Sequence, residues 1–152
     1  MTQGKTDMSE AVIVRQNKDF EIAFWVLRDH EDEEPAFLPA EHVYDLSPYT
    51  MLLTSLASCT CILLHTYAQH HELDLEEVEL RLQYGRVFDE DCENCEDIDR
   101  YEEQIEEMFV FTEELSAADR KRLFQIAKQC PIYKMLHDGV QVKSWLADED
   151  AE

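Results

Sequence analysis

SPYTMLLTSLASCTCILLHTYAQHHEL, residues 47–73, carries no charged residue between Tyr49 and Leu64, and only Pro48 at its start could interrupt a helix. Ser47 reads as a helix N-cap, with Pro48 at the first helical position, where a missing N–H is not needed. Leu52, Leu56, Cys59 and Leu63 fall on one helical stripe; Leu53, Ala57, Cys61 and Leu64 form a second beside it. A helix apolar nearly all round belongs at the centre of a fold or in a membrane. The uncharged run is shorter than a span requires, and Thr50, Thr54, Ser55, Ser58 and Thr60 dilute it, so the expectation is a buried central helix.

At its middle Ala57, Ser58, Cys59 and Thr60 are all small, so another element can approach the backbone there. Cys59 has two readings: a small buried hydrophobe, or a thiol placed where a second group can reach it. Outward from this helix the chain divides simply. Residues 1–10 are polar and read as a loose N-terminus, residues 11–146 as a single domain, and residues 147–152 as an acidic tail. Ala11 to Arg15 is a β-branched run, a turn is expected at Gln16 to Asp19, and Phe20, Ile22, Phe24 and Val26 alternate with Glu21, Ala23, Trp25 and Leu27. An N-terminal hairpin follows from this. The connection through Pro35 and Pro39 reads as irregular.

Beyond the helix, Val78, Leu80, Leu82 and Tyr84 alternate with Glu77, Glu79, Arg81 and Gln83 in the clearest strand of the chain, and Gly85 suggests a bulge. In the next strand Tyr101, Glu103, Ile105, Glu107, Phe109 and Phe111 share one side, with Met108 and Val110 on the other. Ser116 with Asp119 opens a second helix, whose core stripe is Leu123, Ile126, Ala127 and Cys130, and Pro131 weakens its continuation. Gly139 is expected to turn the chain into a last strand over residues 140–146. Strands on short connections with two long helices make an α+β domain.

Composition narrows the function. There are 35 Asp and Glu against 13 Lys and Arg, a net charge of −22. Such a surface repels phosphate backbones and anionic lipids, which argues against nucleic acid and membrane as partners. The N-terminus lacks the apolar run of a signal peptide, so a cytoplasmic location is expected. In a reducing compartment, five cysteines at 59, 61, 92, 95 and 130 are buried thiols, redox groups or metal ligands rather than a disulfide framework. Cys92 and Cys95 form one CxxC amid carboxylates that disfavour a thiolate. A zinc site there needs two further ligands, so it is conditional on a metal test. His65, His70 and His71 suit the C-terminal end of the central helix, and Phe24, Trp25, Tyr44 and Tyr49 are candidates to line an apolar pocket.

Ser47-Pro48-Tyr49 followed by Leu52-Leu53-Thr54-Ser55-Leu56-Ala57-Ser58-Cys59-Thr60 resembles the helix motif of the OsmC/Ohr family of osmotically inducible and organic hydroperoxide resistance proteins. Ile126-Ala127-Lys128-Gln129-Cys130-Pro131 resembles that family's second cysteine motif, and Asp91-Cys92-Glu93-Asn94-Cys95-Glu96 a loop of an OsmC-like subgroup. The resemblance implies antiparallel sheets, a long buried helix and an intertwined homodimer with its active sites at the interface. It implies that Cys59 attacks an organic hydroperoxide, that Cys130 resolves the sulfenic acid, and that a dithiol or lipoyl-type reductant reopens the disulfide, with no cofactor. The alternative is a non-catalytic module holding an apolar small molecule in the same interface pocket. Active peroxidases of the family carry an acidic residue after the motif proline, where this chain has Tyr49. By region, Arg15 and Arg28 are the candidates for the family's catalytic arginine.

Overall fold

The computed structural model describes residues 10–29, 32–88, 101–111 and 115–147. Strands β1 (Glu10–Asn17) and β2 (Ile22–Arg28) form the expected hairpin. Its turn is held by the Asn17 side chain, whose Oδ1 accepts from the backbone N–H of Asp19 and of Glu21, both at 3.0 Å. The turn ends at Phe20 in the left-handed region, φ 65°. A short strand β3 (Ala36–Pro39) pairs with β2 where an irregular connection was expected. As an edge strand it tolerates Pro39, because it needs partners on one side only.

The expected cap opens helix α1 (Pro48–His70): Ser47 Oγ accepts from the Thr50 N–H at 3.1 Å, and Ser47 N–H donates back to Thr50 Oγ1 at 2.7 Å. The entrance is braced by Arg28, whose Nη2 donates to the Asp45 carbonyl at 2.8 Å. After α1 come β4 (Glu77–Phe88) and β5 (Tyr101–Phe111), then helices α2 (Ala117–Ala127) and α3 (Pro131–Asp138). The five strands make one antiparallel sheet in the order β3-β2-β1-β4-β5. The register of β4 on β5 runs unbroken through Gly85 opposite Gln104, so Gly85 marks no bulge.

The core lies between one face of this sheet and α1. Val12, Val14, Val78, Leu80 and Leu82 on the strands meet Leu53, Ala57, Cys61 and Leu64 on the helix, all buried. Each fully buried Val or Leu contributes about 1.5–3 kcal/mol from leaving water. Only the second of the two stripes is uniformly buried. Leu52 and Ile62, on the Cys59 side, stay 40% and 49% exposed, so α1 is half covered rather than enclosed. By length and composition alone α1 could cross a bilayer, but half of its apolar window is packed inside the protein.

The C-terminal part departs from expectation in two ways. Helix α2 does stop before Pro131, but Pro131 then starts a further helix, α3, with proline at the first helical position and Cys130 as the N-cap residue. Residues 140–146 form no strand, because a strand exists only when hydrogen-bonded to a neighbour and none is offered within the described residues. That segment leaves Val142, Trp145 and Leu146 largely exposed.

Candidate functional site: a cysteine pair beside a cavity

Cys59 stands midway along α1 on its less covered side and is half-buried. Cys130 is fully buried. It is not on α2, as its spacing suggested, but in the connection between α2 and α3. The fold brings the two together: the Cys130 side chain and the backbone N–H of Ile132 both lie close enough to Cys59 to act on its thiol. The physical reason is local. A helix leaves its first N–H groups without intrahelical partners, and Ile132, second in α3, directs one of them at the Cys59 sulfur.

The charge state of Cys59 follows from these contacts. Burial pushes its thiol above the ordinary value, the neighbouring Cys130 thiol pushes the same way, and the Ile132 N–H pulls back without overcoming them. No cation among the described residues acts on it. Arg15 is committed elsewhere, to Glu79 and the face of Trp25, where its guanidinium carbon lies 4.8 Å from the ring centre. Arg28 is committed to Asp45. Neither candidate arginine therefore reaches Cys59 within one chain. Cys61 points into the core, and burial drives its thiol up to about 12.

A cavity of about 610 Å³ opens between the sheet and the three helices. Leu56, one helical turn before Cys59, lines it, as do Ala127 and Tyr133, three residues to either side of Cys130. The opposite wall is the inner face of β5, with Glu107 and Phe109, and Phe124 of α2 closes a side. The aromatic residues singled out from the sequence do not line it. Trp25 is on the far face of the sheet, opposite Pro39. Tyr44 is exposed and stacks on His42. Phe24 packs against the core, and Tyr49 stacks on Tyr84 with centroids 4.7 Å apart. Tyr84, Phe109, Phe124 and Tyr133 take that role instead. The usable signals were the shared side of β5 and the position of Tyr133 three residues after Cys130.

His65 also departs from its expected role. It is buried well before the helix end, and its Nε2 is 2.8 Å from the Gln16 carbonyl, linking α1 to β1. His70 does lie in the last turn, and His71 caps the helix and stacks on Tyr67. Cys92 and Cys95 lie outside the described residues. Among the described residues no cluster of three or more His, Cys, Asp or Glu is arranged to hold a metal.

Residues 41–144 match the sequence model of the family described as OsmC-like protein. The chain belongs to the OsmC-like family. A search of curated proteins found no match. Among solved structures the chain is similar to an OsmC-like hydroperoxide resistance protein from Jannaschia sp. CCS1, at 14% identity over 93% of this chain and 95% of that one, with a TM-score of 0.58. A putative osmotic stress induced and detoxification response protein from Psychrobacter arcticus 273-4 is 19% identical over 88% and 87% of the chains, with a TM-score of 0.46. The OsmC-like motifs quoted above thus sit where the fold joins them: the first on α1, the second across the connection from α2 to α3.

Proposed function

We propose that this protein is a thiol-dependent peroxidase that reduces organic hydroperoxides through Cys59, with Cys130 as the resolving thiol. The observation that carries the reading is the nearness of the two side chains, brought together beside an apolar cavity from positions far apart in sequence. The Cys59 thiolate attacks the outer oxygen of ROOH. The O–O bond breaks, the leaving alkoxide takes a proton to become ROH, and Cys59 becomes a sulfenic acid. The Cys130 sulfur then displaces the sulfenic hydroxyl, which leaves as water, and a disulfide forms. A dithiol or lipoyl-type reductant returns both thiols, as a reducing cytoplasm would sustain.

The reading includes a homodimer. The side of α1 that carries Cys59 also exposes Leu52 and Ile62, and residues 140–146 leave Trp145 and Leu146 exposed. A second copy would cover these surfaces and complete the surroundings of Cys59. A non-catalytic binding module is the second reading, favoured by the raised Cys59 thiol and by the commitments of Arg15 and Arg28.

Peroxide treatment followed by peptide mass spectrometry separates the two. The enzyme reading expects one Cys59–Cys130 disulfide per chain, a trapped and then over-oxidised Cys59 in Cys130→Ser, no reaction in Cys59→Ser, and normal reaction in Cys61→Ala. Cys59 remaining reduced under excess cumene hydroperoxide would leave the binding module.

A further inference from the structure

The cavity wall holds a group that the peroxidase chemistry does not use. Glu107 of β5 faces the same side of the sheet as the buried Leu82, opposite which it pairs. It is half-buried and has no hydrogen-bond or ion-pair partner among the described residues. The other polar side chains lining the cavity are occupied or at its rim. Glu103 accepts from the Tyr84 hydroxyl at 2.6 Å. Lys128 places its Nζ 5.1 Å from the centre of the Phe124 ring. His137 meets Asp138 at 2.9 Å. Among the described residues, the cavity-lining carboxylate without a partner is therefore Glu107, which shares the wall with Leu56, Phe109 and Phe124.

We propose that Glu107 is a specificity-determining residue that admits apolar ligands with an uncharged or cationic polar group and excludes those carrying an anionic one. An unpaired carboxylate in an apolar wall accepts a hydrogen bond from a hydroxyl or ammonium group at little cost, since it has no partner to give up. A second anion in the same cavity meets a like charge across poorly screening surroundings. Burial holds the Glu107 carboxyl above the ordinary range, with no cation among the described residues acting against it. The inference rests on the cavity being the ligand site of the proposed function. It does not depend on peroxide chemistry, so it is tested with unreactive ligands.

Decylamine, decanol and decanesulfonate share one chain and differ in head-group charge. Calorimetric titration of the full-length protein at pH 8, in salt high enough to screen the long-range field of the −22 charge, measures the three affinities. The expected result is that decylamine and decanol bind and that decanesulfonate is weaker than decanol by about tenfold or more, ~1.4 kcal/mol. Glu107→Gln, which keeps the shape, should bring the decanol–decanesulfonate gap to within about twofold, less than ~0.5 kcal/mol. Glu107→Met, similar in length and uncharged, should do the same if the glutamine variant does not fold. An unchanged gap in a folded variant overturns the proposal and gives the selection to net charge. Equal affinity of the native protein for sulfonate and alcohol overturns it in favour of Lys128 or His137. Binding of none of the three overturns it with the ligand site, whereas peroxide inactivity alone removes only the enzyme reading.

Discussion

Oxidation of the cysteine pair should stabilise the protein by an amount set by its topology. Cys59 and Cys130 lie about 70 residues apart in sequence, and bridging them removes the entropy of closing that loop from the unfolded chain, worth about 4 kcal/mol in the chain-entropy model. Strain at the joint subtracts from this, so a gain of about 2–4 kcal/mol is expected. For a chain of this size each kcal/mol moves the melting temperature by about 2–4 °C, giving a rise of about 4–16 °C. The assay is a pair of calorimetric melts at one protein concentration: dithiol-reduced, and oxidised by one equivalent of cumene hydroperoxide, with the bridge mapped by mass spectrometry. Cys59→Ser and Cys130→Ser should show no rise. Cys61→Ala starts lower, because it leaves a gap in the core, and should then rise as much as the native chain. A mapped Cys59–Cys130 bridge that leaves the melting temperature unchanged or lowers it would refute the reasoning: the two sulfurs would then meet only after the structure distorts.

Alkylation of Cys59 should be slow at neutral pH and accelerate as pH rises past the ordinary thiol range, because burial and Cys130 both favour its protonated form. Rate against pH by mass spectrometry checks this, and an inflection below the ordinary range would mean that a cation, supplied by a partner copy, reaches the thiol. Cys61, held at about 12, should stay unlabelled in the same samples until denaturant is added. Leu53→Ala removes a side chain with no exposed surface from the sheet–helix core and should cost about 2–5 kcal/mol, read from the urea midpoint. Ile62→Glu places a charge on the exposed stripe of α1 and should convert a dimer to a folded monomer in sedimentation; a native chain already monomeric at low micromolar concentration would remove the interface from the proposal.

Much of the fold was legible because it rests on local chemistry. Ser47 and Pro48 could only open a helix, and alternation in β4 and β5 assigned the inner-facing side chains, Glu107 among them, without any knowledge of what they meet. The cysteine pair was recognisable by resemblance to a family. What the sequence misjudged depended on neighbours. Pro131 suits both the end of one helix and the start of the next, and only the packing of α3 beside α1 settled which. Residues 140–146 have strand composition but no strand beside them in the described chain. His65 looked like a helix-end residue until β1 brought the Gln16 carbonyl to it.

The amino-acid order by itself determined the N-terminal hairpin, α1, the faces of β4 and β5, and the two thiols. The tertiary structure alone decided that Cys59 meets Cys130 and the Ile132 N–H, that the candidate arginines Arg15 and Arg28 are spent elsewhere, and that Glu107 lines a cavity without a partner among the described residues. Those facts are distances between segments many residues apart, and local preferences along a chain do not encode them until packing fixes which segments touch.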